Sequence, residues 1–143
     1  MHEAKVTFHS TAVPAHGSPI PTATLWGGLA FLSAIRPQDP DTGDVADGDV
    51  RAQVRAAFGN LVLILDELGA RPSDVLRVVV YLRDLYGHRD ALNEVWREVF
   101  ADDSPARVAV QVAELGHASG KDLIVLDVVA AVPGATPPRT AAS

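Results

Sequence analysis

The sequence predicts one α+β domain, in which two helices cover one face of a single sheet. Three observations carry that expectation. The chain has 143 residues, enough for one domain of ordinary size and too few for two robust ones. Hydrophobic residues make up 48% and charged residues 21%, the balance of a chain that buries a core. The apolar pattern also switches between strand and helix spacing in the order β-β-β-α-β-α-β-β, so each helix joins strands and must lie on their sheet.

The elements follow in order. Ala4 to Ser10 reads as a short strand with Val6 and Phe8 on one face, followed by a loop broken by prolines. Thr24 to Ile35 reads as a hairpin turning at Gly27-Gly28. RPQDPDTGDVADGD is turn chemistry throughout. Asp49 is then placed to cap a helix whose apolar residues are Val50, Val54, Phe58, Leu61, Leu65 and Leu68, with Gly69 just past its end and Pro72 preventing continuation. Val75 to Leu82 is β-branched and nearly continuous, as a well-buried strand should be. A second helix near His88 to Phe100 buries Leu92, Val95, Trp96 and Val99. Arg107 to Leu115 and Leu123 to Val132 complete the sheet, joined by GHASGK and read as a hairpin centred near His117. Residues 1–132 form the domain. Residues 133–143, rich in Pro, Ala and Thr, read as a disordered tail. Both helices are used on one face, so an apolar second face implies an oligomer packing sheet against sheet.

Composition narrows the function classes. There is no cysteine, which removes disulfides, thiolate metal sites and a Cys nucleophile. The net charge of −6 opposes a nucleic-acid backbone. No apolar run approaches the roughly 20 residues that span a bilayer, and the N-terminus has no secretory h-region. A cytoplasmic location is expected. The five histidines are scattered without ligand spacing, and the acidic run Asp39, Asp41, Asp44, Asp47 and Asp49 lacks the closing glutamate of a calcium loop, so no metal is expected. Trp26 and Trp96 read as core or interface residues. Ser33 has no arranged His–Asp pair to activate it as a nucleophile.

Asp127 is the most informative polar residue, because it interrupts the run LIVLDVVAAV. A buried carboxylate needs a partner. A terminal hairpin would set Arg107 opposite it. Two readings follow: a cross-strand ion pair that only holds the sheet, or an arginine that binds a substrate carboxylate in a bidentate fork while Asp127 orients water or moves a proton.

At Arg107 the chain resembles a known family. SPARVAVQVAEL is similar to the PAR-S-x-V-x-V-x-x-L signature of the reactive intermediate deaminase (Rid, or YjgF) family. GGLAFLSAIRPQDPDTGDV resembles the same family's G-x-L-V-F-V-S-G-Q-I-P-x-D-P-x-T-G, and LNEVWREVF its N-E-V-Y-x-x-Y-F. Gln53, Asn60 and the Leu-Gly-Ala turn of the first helix match as well. The likeness spans about Ser18 to Val132 in order, with one extra residue near Tyr86-Gly87.

The resemblance implies a chorismate-mutase-like fold and a bacterial homotrimer with sheets packed around its centre and small-molecule pockets between subunits. It implies hydrolysis of an enamine or imine carboxylate, such as 2-aminoacrylate, to a ketoacid and ammonia, without a cofactor. Residue by residue, Arg107 matches the carboxylate-binding arginine, Asn93 the asparagine of N-E-V-Y, and Ser33 the serine of S-G-Q. Asp127 is taken to stand for the family's water-positioning glutamate, one methylene shorter. Ala34-Ile35 replaces Gly-Gln, Ile20-Pro21 replaces Tyr-Ser, and Val108-Ala109 replaces a more polar pair. These changes make the expected pocket, including Ile20, Ser33, Ala34 and Asn93, more apolar. They suggest a bulkier substrate, such as a 2-aminomuconate-like enamine acid. The alternatives are a non-catalytic ketoacid-binding trimer and, against the acidic charge, an endoribonuclease.

Overall fold

The computed structural model describes residues 4–17, 19–116 and 119–135. The expected tail beyond Ala135 and the expected turn centre at His117 lie outside the described residues. Strands β1 (Val6–Phe8), β2 (Ala23–Trp26) and β3 (Leu29–Leu32) come first. β2 and β3 form the predicted hairpin, with Trp26 opposite Leu29. Its turn residues Gly27 and Gly28 have φ of 61° and 80°. Positive φ at both positions suits the twist of a two-residue hairpin, and a side chain there would be strained.

Helix α1 (Val50–Glu67) begins where Asp49 accepts the Ala52 N–H at 3.0 Å. β4 (Val75–Leu82), α2 (Leu85–Phe100), β5 (Ala106–Gln111) and β6 (Ile124–Ala131) follow. α2 starts earlier than its apolar spacing suggests. Asp84 adopts a left-handed conformation (φ 49°) and accepts the Gly87 N–H at 3.1 Å, which caps the helix ahead of His88.

The six strands form one sheet in the order β1-β2-β3-β6-β4-β5. This corrects the predicted terminal hairpin. β6 pairs antiparallel with β4 and with β3, whereas β5 lies parallel to β4 at the sheet edge. The physical reason is hydrophobic demand. The nearly continuous apolar run of β6 is best buried between two neighbours, while β5 follows β4 through α2 as a parallel crossover strand.

One face carries the core. Val78, Val80 and Leu82 of β4 and Leu126, Val128 and Ala130 of β6 pack with Phe58, Leu61 and Leu65 of α1 and Leu92 and Val95 of α2. The alternate residues point to the other face, which neither α1 nor α2 covers. Trp26 is 57% and Phe31 48% exposed there, with Val108 and Val110 also exposed.

Two buried amides of α1 fix the loops to this core. Gln53 Nε2 donates to the carbonyls of Ala46 and Lys121, at 2.9 and 3.0 Å, while its Oε1 accepts the Leu123 N–H at 2.7 Å. Asn60 Nδ2 donates to the Arg36 and Gln38 carbonyls. Arg36 in turn grips buried Asp122 through two hydrogen bonds, of 2.7 and 2.9 Å. A buried amide left without such partners would cost about 1–3 kcal/mol.

Candidate active site

The site is built where α2 passes the edge strand β5. Arg107 is in register with buried Val78, so its side chain leaves the sheet on the helix side, at the margin. There its Nη1 donates to Asn93 Oδ1 at 2.9 Å, and its Cζ lies 5.0 Å from the centre of the Trp96 ring. Trp96 is itself held. Its Nε1 donates to Ser104 Oγ at 3.0 Å, and that hydroxyl donates to the Pro105 carbonyl at 2.9 Å. Its ring also meets Phe58 edge-on, at 5.9 Å between centroids, and tilts against Phe100 at 4.6 Å.

This arrangement aims a cation. One guanidinium N–H is bound to an amide and the Cζ lies over an indole ring, so the other donors remain for a planar acceptor. Among the described residues no carboxylate forms an ion pair with Arg107. Partial burial, and then the charge of Arg89, lower its pKa from the ordinary arginine value. It stays cationic at neutral pH. A guanidinium so placed suits bidentate binding of a carboxylate.

The other predicted residues fall elsewhere. Asp127 is exposed on the open face, in register with Val79, which also pairs with Val108 of β5. It is neither buried nor opposite Arg107: the two side chains leave opposite faces of the sheet, with β4 between their strands. The cross-strand ion pair, one of the two readings of Asp127, does not form among the described residues, because the hairpin that would create it does not. Ser33 donates its hydroxyl to the Pro21 carbonyl at 2.7 Å. This ties it to the segment carrying Ile20, which is 52% exposed. Ala34 lines a small cleft with Val13, Pro14, His16 and Thr22. Ile20, Ser33 and Ala34 thus gather near the end of β3, three strand spacings, or about 14 Å, from β5. Arg107 and Asn93 are brought together; the remaining four residues are not brought to them within one chain.

Trp96 was expected only as a core or interface residue, and its place beside Arg107 went unread, as did Ser104. The signal was available: Asn93 and Trp96 are three apart on α2 and so share one stripe. The acidic run has structural duties. Asp39 accepts the Asp41 and Thr42 N–H groups, bonds that lower its carboxyl pKa, and Asp49 caps α1. A separate open cleft of about 530 Å³ lies at the carboxyl ends of β4 and β5, lined in part by Arg83, Asp84, His88 and Gln111. Arg107 is not among its walls.

Comparison with known proteins agrees with this architecture. The family model described as Endoribonuclease L-PSP matches residues 12–131. A RutC family protein of Pyrococcus abyssi is 38% identical over 112 residues, covering 78% of this chain and 87% of the relative. A protein of Dermatophagoides farinae named 2-iminobutanoate/2-iminopropanoate deaminase is 32% identical over 97 residues, covering 68% of this chain and 75% of its own length. Among solved structures, RidA from an Antarctic Psychrobacter superposes with a TM-score of 0.80 at 28% identity, covering 89% of this chain and 99% of that one. With the fold, the extent of the match and the relatives in agreement, the chain belongs to the Endoribonuclease L-PSP family, which includes the RutC and Rid proteins.

Proposed function

We propose that the protein hydrolyses an enamine or imine carboxylate to a ketoacid and ammonia. The observation that carries this reading is Arg107, a guanidinium oriented by Asn93 and Trp96 with no ion-paired carboxylate among the described residues. The named activity of the Dermatophagoides relative supports it. In the reaction the enamine is first protonated on carbon to give the imine. Water then adds to the imine carbon: a C–O bond forms and the C=N π pair moves to nitrogen, which takes a proton. The carbinolamine loses ammonia as the C=O bond forms. The imine carbon already accepts water, so holding the substrate by its carboxylate and managing protons can supply the acceleration. A cofactor has no necessary part in this sequence of steps.

Arg107 and Asp127 leave opposite faces of one sheet and cannot serve one substrate molecule within a single chain. The reading therefore includes a homotrimer in which the open faces pack together. The carboxylate-bound substrate then lies between copies, with Asp127 positioning water and Ile20, Ser33 and Ala34 shaping the pocket from the neighbouring copy. The apolar Ile20 and Ala34 favour a substrate larger than 2-aminoacrylate, of the 2-aminomuconate kind. A cytoplasmic, bacterial setting belongs to the same reading; among the described residues no helix is long and apolar enough to cross a membrane. Ribonuclease activity, which the family description names, is disfavoured by the net charge of −6.

One observation favours a second reading. Among the described residues no carboxylate forms an ion pair with Arg107, as would suit a trimer that binds ketoacids without turnover. Imino acids generated in place by an amino acid oxidase separate the two. Faster release of ketoacid and ammonia supports the deaminase. Thermal stabilisation by ketoacids with no acceleration supports the binder.

A further inference from the structure

The cleft at the carboxyl ends of β4 and β5 has no part in the reaction proposed above. It holds about 530 Å³, within the range of small-molecule sites. β4, α2 and β5 form a parallel crossover, and α/β sheets bind ligands outside the carboxyl ends of such strands. Gln111 lies four residues beyond Arg107 on β5, roughly 13 Å at the rise of a strand, so the two sites are separate.

Each polar side chain of the wall is tied to backbone by one atom and open at another. Gln111 Oε1 accepts the Leu85 N–H at 3.1 Å, which leaves its NH2 group. Arg83 Nη1 donates to the Gly120 carbonyl at 3.3 Å, which leaves Nε and Nη2. His88 Nδ1 lies 2.6 Å from the Arg83 carbonyl. A carbonyl only accepts, so Nδ1 carries the proton, and Nε2 of the neutral ring is an acceptor. Asp84 Oδ1 accepts the Gly87 N–H, and a Cβ at Gly87 would collide with Oδ2, so glycine is what lets the carboxylate fold here. Asp84 itself has a φ of 49°, a strained backbone of the kind that gathers at ligand sites. Among the described residues Arg83 and Asp84 form no ion pair, with each other or with Glu114, which borders a second recess with Arg83. Val112, Ala113 and Leu123 supply the apolar part of the wall.

A cation and a donor amide beside a carboxylate and an acceptor nitrogen suit a ligand carrying charges of both signs. We infer that this cleft binds a free aliphatic α-amino acid. Arg83 and Gln111 hold its carboxylate, Asp84 and His88 Nε2 accept from its ammonium group, and its side chain lies on Val112, Ala113 and Leu123.

Three probes of one skeleton test this. 4-Methylpentanoate is leucine without its amino group, and 3-methylbutylamine is leucine without its carboxylate. Calorimetric titration of the wild-type protein should show L-leucine bound about tenfold or more tightly than either, the worth of one charge-assisted contact. Arg83→Gln should bring leucine down to the level of 3-methylbutylamine. Asp84→Asn, which keeps a capping side chain, should bring it to the level of 4-methylpentanoate. Arg107→Ala should leave leucine affinity unchanged. No binding of leucine at millimolar concentration, parity of leucine with either half in the wild type, or loss of leucine binding in Arg107→Ala overturns the inference.

Discussion

Arg107 sits on an edge strand, where a long side chain would ordinarily sample many rotamers. Asn93 fixes one end of its guanidinium, and Trp96 offers a π face held in turn by Ser104. A cation–π contact contributes about 0.5–2 kcal/mol, depending on desolvation. Replacing Trp96 with Leu removes the π face and should raise KM for a carboxylate substrate about fivefold, with a smaller change in kcat. Trp96→Phe keeps a ring and should recover most of the KM while losing the bond to Ser104. Steady-state kinetics of the two variants check this; an unchanged KM in Trp96→Leu would show that the ring only fills the core. Arg107 and Asn93 were legible from their motifs. The surroundings of Asp127 were not, because its exposure depends on which face of which strand it occupies, and strand order is not written locally.

At the scale of elements, local signals were legible and long-range pairing was not. The glycine turn, the Asp49 cap and the apolar stripes of both helices are set by neighbouring residues, and the structure has them where the sequence indicated. The pairing of β5 and β6 was misread because strands adjacent in the chain were taken to be adjacent in space. The apolar run of β6 already held the correction: a strand that greasy belongs between two others. Its entry into the sheet depends on Asp122, which Arg36 holds from the β3 side and which immediately precedes the Leu123 N–H bound by Gln53. Asp122→Ala leaves the partly buried Arg36 without this partner. Breaking such a pair costs about 3–5 kcal/mol. Urea denaturation should show a loss of that order, and a loss under about 1 kcal/mol would mean the pair is incidental.

On the scale of the whole molecule, the sheet is finished on one side only. Trp26, Phe31, Val108 and Val110 stay exposed on the face opposite the helices. A face of this character suits a partner, and three copies closing upon it is the assembly proposed above. Sedimentation equilibrium should give three times the 15.1 kDa chain mass. Phe31→Glu, which sets a charge on that face, should shift the protein toward monomer. A wild-type monomer at micromolar concentration would remove the shared site, and with it the role given to Asp127. The central claim is that Arg107 holds the carboxylate of an imine being hydrolysed. It is tested most directly by ketoacid release from 2-iminobutanoate, compared between the wild type and Arg107→Ala. The account predicts acceleration by the wild type and a loss in kcat/KM of about 10- to 100-fold in the variant, the worth of a charge-assisted contact. Equal acceleration by both proteins would contradict it.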